Sequence, residues 1–139
     1  MRGAVLYAPG DVRVEGRDDP RILEPTDAII GLPATCVCGS DLWPYRGIEP
    51  VDEPFPMGHE YVGIVQEVGS QVRNIRPGQF VVGSFFASDN TCEICQAGYQ
   101  THCVQREPAA ATGAQSEFVR IALADGTLVA TPGQPEKLP

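Results

Sequence analysis

Apolar residues along this chain fall in short runs broken by turn residues, which is the pattern of strands rather than of helices. Residues 2–8 are followed by the turn Pro9-Gly10-Asp11 and by Val12-Arg13-Val14, predicting a β-hairpin. Residues 17–25 are polar, hold two prolines and read as an exposed linker. The run from Ala28 to Cys38 is the next predicted strand, and Pro33 within it demands an edge position or a bulge. The pattern then changes to Gly39-Ser40-Asp41-Leu42-Trp43, where Ser40 or Asp41 can cap a short helical turn. After a proline-rich loop, residues 55–69 carry an alternating strand. Residues 80–86 form a nearly continuous apolar run, expected as a strand buried on both faces. Two more strands are expected at 117–121 and 127–130, around Asp125-Gly126.

Composition sharpens this to a loop-rich, mainly β domain. Fifteen glycines and thirteen prolines make up about a fifth of the 139 residues, well above ordinary usage, so long helices are not expected. The 42% hydrophobic content suffices for one core. A formal charge of −8 argues against nucleic acid or an anionic membrane as partner. No apolar run approaches the roughly 20 residues that span a bilayer, and the N-terminus lacks a signal peptide's apolar core. The expected location is cytoplasmic.

Residues 87–107 show no apolar periodicity, yet they hold Cys92, Cys95 and Cys103. In a reducing compartment such clustering reads as metal thiolates before disulfides. A tetrahedral zinc needs four ligands. Asp89, three residues before Cys92, continues the Cys-x-x-Cys spacing and is the proposed fourth, with His102 and water as competitors. Such a zinc would be structural.

A second constellation is spread more widely. In Gly58-His59-Glu60 an imidazole and a carboxylate are neighbours, and on an extended backbone they would face opposite ways. Gly58 and Gly63 permit the bend that would bring both to one site. With Cys38, His59 and Glu60 form a mixed sulfur, nitrogen and oxygen set with an open position, as catalytic zinc sites have. Ser40 is placed to pass a proton toward solvent. Asp41 is placed to accept from the second nitrogen of His59 and fix its tautomer. Cys36, two residues before Cys38, reads as core packing.

Taken together, Cys38-Gly39-Ser40-Asp41, Gly58-His59-Glu60-x-x-Gly63, Val68-Gly69, Pro77-Gly78 and the Cys92/Cys95/Cys103 lobe resemble the N-terminal GroES-like catalytic domain of the zinc-dependent medium-chain alcohol dehydrogenases. The resemblance runs from Met1 to about Pro132. It implies a partly open β-barrel with a zinc lobe, catalytic zinc on Cys38 and His59 with Glu60 as ligand or near neighbour, and Ser40 as proton relay. It also implies a small alcohol or aldehyde substrate and, in a full-length enzyme, NAD or NADP and a homo-oligomer. Four features depart from the family's pattern. Asp89 stands where a first cysteine is usual, Trp43 where many members carry a relay histidine, and Gln79 where the Pro-Gly turn usually has aspartate. No Gly-x-Gly-x-x-Gly follows a strand, so the nucleotide-binding Rossmann domain is not expected here, and residues 133–139 read as the start of a linker to it.

The leading expectation is therefore the catalytic domain of an NAD(P)-dependent zinc alcohol dehydrogenase, inactive alone. The alternative is a stand-alone zinc-binding scaffold or interaction module. A co-chaperonin ring subunit shares only the barrel topology and explains neither metal constellation.

Overall fold

The computed structural model describes residues 1–106 and 113–132. The expected linker at 133–139 and the last residue of the lobe at 107 lie outside the described residues. The chain opens with the antiparallel pair β1 (Arg2–Ala8) and β2 (Asp11–Gly16), the expected hairpin. Then come β3 (Ala28–Cys36), a 3-10 turn at Gly39–Asp41, α1 (Leu42–Tyr45), β4 (Phe55–Pro56) and β5 (Glu60–Val68). They are followed by β6 (Phe80–Gly83), α2 (Glu93–Gln96), a 3-10 turn at Gln100–His102, β7 (Phe118–Ile121), α3 (Ala124–Thr127) and β8 (Leu128–Ala130).

Two antiparallel sheets result, one in the order β2-β1-β4 and one in the order β7-β3-β5-β6-β8. They are stitched where β1 meets the segment before β7: Gly3 bridges Ser116, Ala4 N–H donates to the Gln115 carbonyl at 2.8 Å, and Glu117 N–H donates to the Arg2 carbonyl at 3.1 Å. The arrangement is the expected partly open barrel, wrapped but not closed. Its core comes from strand positions of period two, including Ala28 and Ile30 of β3, Tyr61 and Val65 of β5, and Val119 and Ile121 of β7.

Pro33 takes the second of its two expected places. β3 is an interior strand, and its register with β5 shifts between Gly31 and Ala34, a bulge that excuses the proline from the ladder. Beyond the bulge β3 pairs only with β5, because β7 stops at Phe118 opposite Gly31. That end of the strand is uncovered, and Cys36 is exposed there rather than packed in the core.

The run at 80–86 also differs from expectation. β6 covers only Phe80–Gly83, with Val82 42% and Phe85 40% exposed. Antiparallel sheets commonly leave one face to solvent, and an unbroken apolar run does not reveal this. The strand ends where the buried Tyr61 ring occupies the space a Cβ on Gly83 would need, and Tyr61 Oη donates to the Ser84 carbonyl at 3.2 Å.

Candidate active site and metal centre

The turn after β3 is organised by Asp41. Its backbone N–H donates to the Cys38 carbonyl at 3.1 Å, and its Oδ2 accepts the Cys38 N–H at 2.8 Å, so the carboxylate caps the turn that displays Cys38. Asp41 is buried, at 7% exposure. Its other oxygen, Oδ1, stands 3.4 Å from His59 Nδ1. One carboxylate thus touches both Cys38 and His59, which are 21 positions apart in the chain.

His59 reaches this carboxylate because the backbone turns at Gly58, whose φ is +96°. A Cβ there would run into the Gln115 backbone nitrogen, so only glycine lets the two segments close up. They are joined by Ala114 N–H to the Gly58 carbonyl and Gln115 N–H to the Met57 carbonyl, both 2.9 Å. Ser40 Oγ lies 3.1 Å from His59 Nε2. With a proton on Nδ1 facing Asp41, the Nε2 lone pair points to Ser40 and is the nitrogen free for a ligand.

Cys38, Ser40, Asp41 and His59 are therefore brought together. Glu60 is placed differently. It begins β5 opposite Cys36, its carbonyl accepts from Thr35 Oγ1 at 2.7 Å, and its side chain is exposed. Among the described residues, Cys38, His59 and Glu60 do not gather their ligand atoms as tightly as the cysteine lobe does. Two neighbours went unforeseen in the sequence. The Phe85 ring lies against His59, with centroids 4.7 Å apart and planes tilted by 56°. Gln115 Nε2 approaches Asp41 Oδ2 at 3.4 Å. Phe85 was hidden inside an apolar run, and no spacing signal links Gln115 to a residue 74 positions earlier. A cavity of about 210 Å³ opens beside Asp41, lined by Val12, Val37, Leu42, Tyr45, Met57 and Gln115.

The cysteine lobe is a separate, compact centre. Asp89, Cys92, Cys95 and Cys103 hold their ligand atoms all within 4.8 Å of one another and can hold a metal ion. Asp89 Oδ1 accepts from Cys103 Sγ at 3.2 Å and from Cys95 Sγ at 3.8 Å, while Thr91 N–H and Oγ1 orient the carboxylate at 2.9 Å each. His102, the competing ligand, is exposed and its Nδ1 lies 3.1 Å from Thr101 Oγ1. Cys92 caps α2 and accepts the Cys95 N–H at 3.5 Å. Backbone N–H groups, first that of Val104 and then that of Cys95, lower its thiol to about 7. Burial pushes Cys95 up to about 12. Three thiols and an oriented carboxylate offer the four donors that a tetrahedral zinc needs.

Two antiparallel sheets bearing a Cys-Ser-Asp turn against a Gly-His pair, with a cysteine lobe that can hold a metal ion, define a mainly β domain with a candidate metal centre. The chain belongs to the alcohol dehydrogenase GroES-like domain family, which matches residues 24–132. It is 42% identical over 135 residues to zinc-type alcohol dehydrogenase B of Aspergillus flavus, covering 95% of this chain and 32% of that protein. Among solved structures, the alcohol dehydrogenase TADH from Thermus sp. ATN1 superposes with a TM-score of 0.84 at 31% identity, covering 96% of this chain and 40% of that one. A Sinorhizobium meliloti 1021 protein solved bound to NADP superposes with a TM-score of 0.65 at 30% identity, over 94% of this chain and 38% of that one. The chain thus spans about a third to two fifths of the length of these relatives. No helix among the described residues is long and apolar enough to cross a membrane.

Proposed function

We propose that this chain is the zinc-carrying, alcohol-binding part of an NAD(P)-dependent alcohol dehydrogenase, with residues 1–132 as its GroES-like catalytic domain. The observation that carries the reading is the Asp41 carboxylate, held between the Cys38 N–H and the His59 ring with Ser40 Oγ on the ring's other nitrogen. A scaffold with no chemistry has no need of that arrangement. Cys38 and His59 would hold the catalytic zinc, with Glu60 as a further ligand or near neighbour. Bound there, zinc would supply Lewis acidity that makes a substrate hydroxyl easier to deprotonate.

The chain's own residues do the rest. Asp41 keeps the proton on His59 Nδ1 and so keeps Nε2 available. Ser40 Oγ accepts the proton of the alcohol and passes its own to solvent, to which it is exposed. Trp43, on the next turn, is 53% exposed and its indole can only donate, so the proton leaves through water. Phe85 shields one side of the imidazole from water. An oxidised nicotinamide, when bound, would supply the acceptor for the hydride of the alcohol carbon. The NADP-bound relative and the zinc-type dehydrogenases among the relatives support that cofactor and that metal.

Asp89, Cys92, Cys95 and Cys103 would hold a second, structural zinc that fastens the lobe. Elemental analysis of the intact chain, of Cys38→Ala and of Cys92→Ala tests both sites together. About two zincs in the parent, falling by one in each variant, is the expected result. One zinc, lost only with Cys92→Ala, would remove the catalytic site and leave a zinc-binding scaffold.

A further inference from the structure

Asp41 Oδ2 already accepts the Cys38 N–H at 2.8 Å, and the same oxygen is approached by Gln115 Nε2 at 3.4 Å. Gln115 arrives from the segment before β7, so it belongs to neither of the stretches that build the site. Its backbone is clamped at both ends: its N–H donates to Met57 and its carbonyl accepts from Ala4. Its backbone nitrogen fills the space that the missing Cβ of Gly58 leaves open, immediately before His59. A fixed backbone gives the side-chain amide a fixed origin, and the amide spends a donor on a buried carboxylate.

We propose that Gln115 is a positioning residue that acts on His59 through Asp41. The inference rests on the reading that His59 works through Nε2. With two donors on Oδ2, the carboxylate cannot swing about its Cβ–Cγ axis. Oδ1 is thereby kept aimed at His59 Nδ1, which must carry the ring proton to meet it. Without the Gln115 amide, Asp41 keeps a single tether and the imidazole relaxes toward the tautomer with its proton on Nε2. That tautomer presents an N–H where a metal needs a lone pair.

The test uses the intact chain labelled with 15N-histidine, which holds only His59 and His102, so His102→Gln assigns the two rings. Long-range 1H–15N spectra of the metal-free protein, at a pH where the imidazoles are neutral, report which nitrogen carries the proton. His59 is expected as the Nδ1–H tautomer in the parent and shifted toward Nε2–H in Gln115→Leu and Gln115→Met. The methionine variant keeps the length and removes the donor without adding charge; it carries the result if the leucine variant fails to fold. Cobalt(II) titration, read from thiolate charge-transfer absorption and corrected with Cys38→Ala, is expected to weaken about tenfold or more at Cys38. Cobalt binding at the Cys92 lobe should be unchanged. An unchanged His59 tautomer in Gln115→Met, or an Nε2–H tautomer already in the parent, overturns the inference. If the parent binds no cobalt at Cys38, the zinc reading fails on its own, and the tautomer still decides the role of Gln115.

Discussion

Asp89 Oδ1 stands 3.2 Å from Cys103 Sγ, across fourteen positions of a chain segment with almost no core of its own. This pair closes the cysteine lobe. Asp89→Ala should weaken metal binding in the lobe by more than about tenfold, as the loss of the proposed fourth ligand would. His102→Ala should leave it unchanged, since that ring faces solvent beside Thr101. Competition titration with a chromophoric chelator reads both. Equal losses in the two variants would reassign the fourth ligand.

Gly83→Ala places a methyl group inside the Tyr61 ring's own space. Tyr61 is 5% exposed and its hydroxyl is committed to Ser84, so the ring cannot step aside without opening the core. A loss of about 1–3 kcal/mol is expected from this overpacking, measured by chemical denaturation. Gly10→Ala is the control. Nothing lies within 4 Å of a Cβ there, so only the left-handed backbone opposes the substitution.

Asp27 is 1% exposed and holds the start of β3: its Oδ2 accepts from Leu23 N–H at 3.1 Å, Glu24 N–H at 2.9 Å and Arg120 Nη1 at 2.8 Å. Asp27→Ala should cost about 2–3 kcal/mol, because two backbone donors and a guanidinium lose their acceptor together. Arg120→Ala should cost less, as that side chain is one-third exposed and the backbone donors keep Asp27. Urea midpoints of the two variants rank them.

Glu117 joins the two sheets from the outside, accepting Arg2 N–H at 2.7 Å and the Arg2 guanidinium at 3.0 and 3.1 Å. The Arg2 backbone N–H first, and its guanidinium second, hold the Glu117 carboxyl below the usual glutamate value. A carboxyl lowered in the folded state stabilises it above the unfolded value, and that contribution is lost as pH falls through the folded one. Thermal melts from pH 7 down to about 3 should show a shallower acid limb for Glu117→Gln than for the parent. Parallel curves would deny the carboxylate this part.

What the sequence disclosed was local. The Cys92-x-x-Cys95 spacing, the glycine before His59 and the three-residue step from Cys38 to Asp41 each concern one turn of chain, where spacing and geometry are nearly the same thing. Hairpin β1–β2 and the bulge at Pro33 were legible for the same reason. Gln115 on Asp41 and Arg120 on Asp27 were not, because they meet across 74 and 93 positions and nothing in either neighbourhood marks the other. Cys36 and Phe85 failed differently. Alternation says which face a side chain takes, but whether that face is covered depends on where the neighbouring strand stops. β7 stops before reaching Cys36.

The stitch between β1 and residues 115–117 also sets an order of events during synthesis. β1 leaves the ribosome before its partners, β2 can pair with it at once and β4 with Met57 reaches its other edge at residues 55–57, but the partners of Gly3 and of the Ala4 N–H on that edge are more than a hundred residues away. Until they emerge, the start of that edge, at Gly3 and the Ala4 N–H, stays open. Contacts of such long span make closure slow and leave the half-built sheet exposed to aggregation. The start of β1 is thus the last part of the first hairpin to be covered, and it is covered only when the segment leading into the seventh strand arrives.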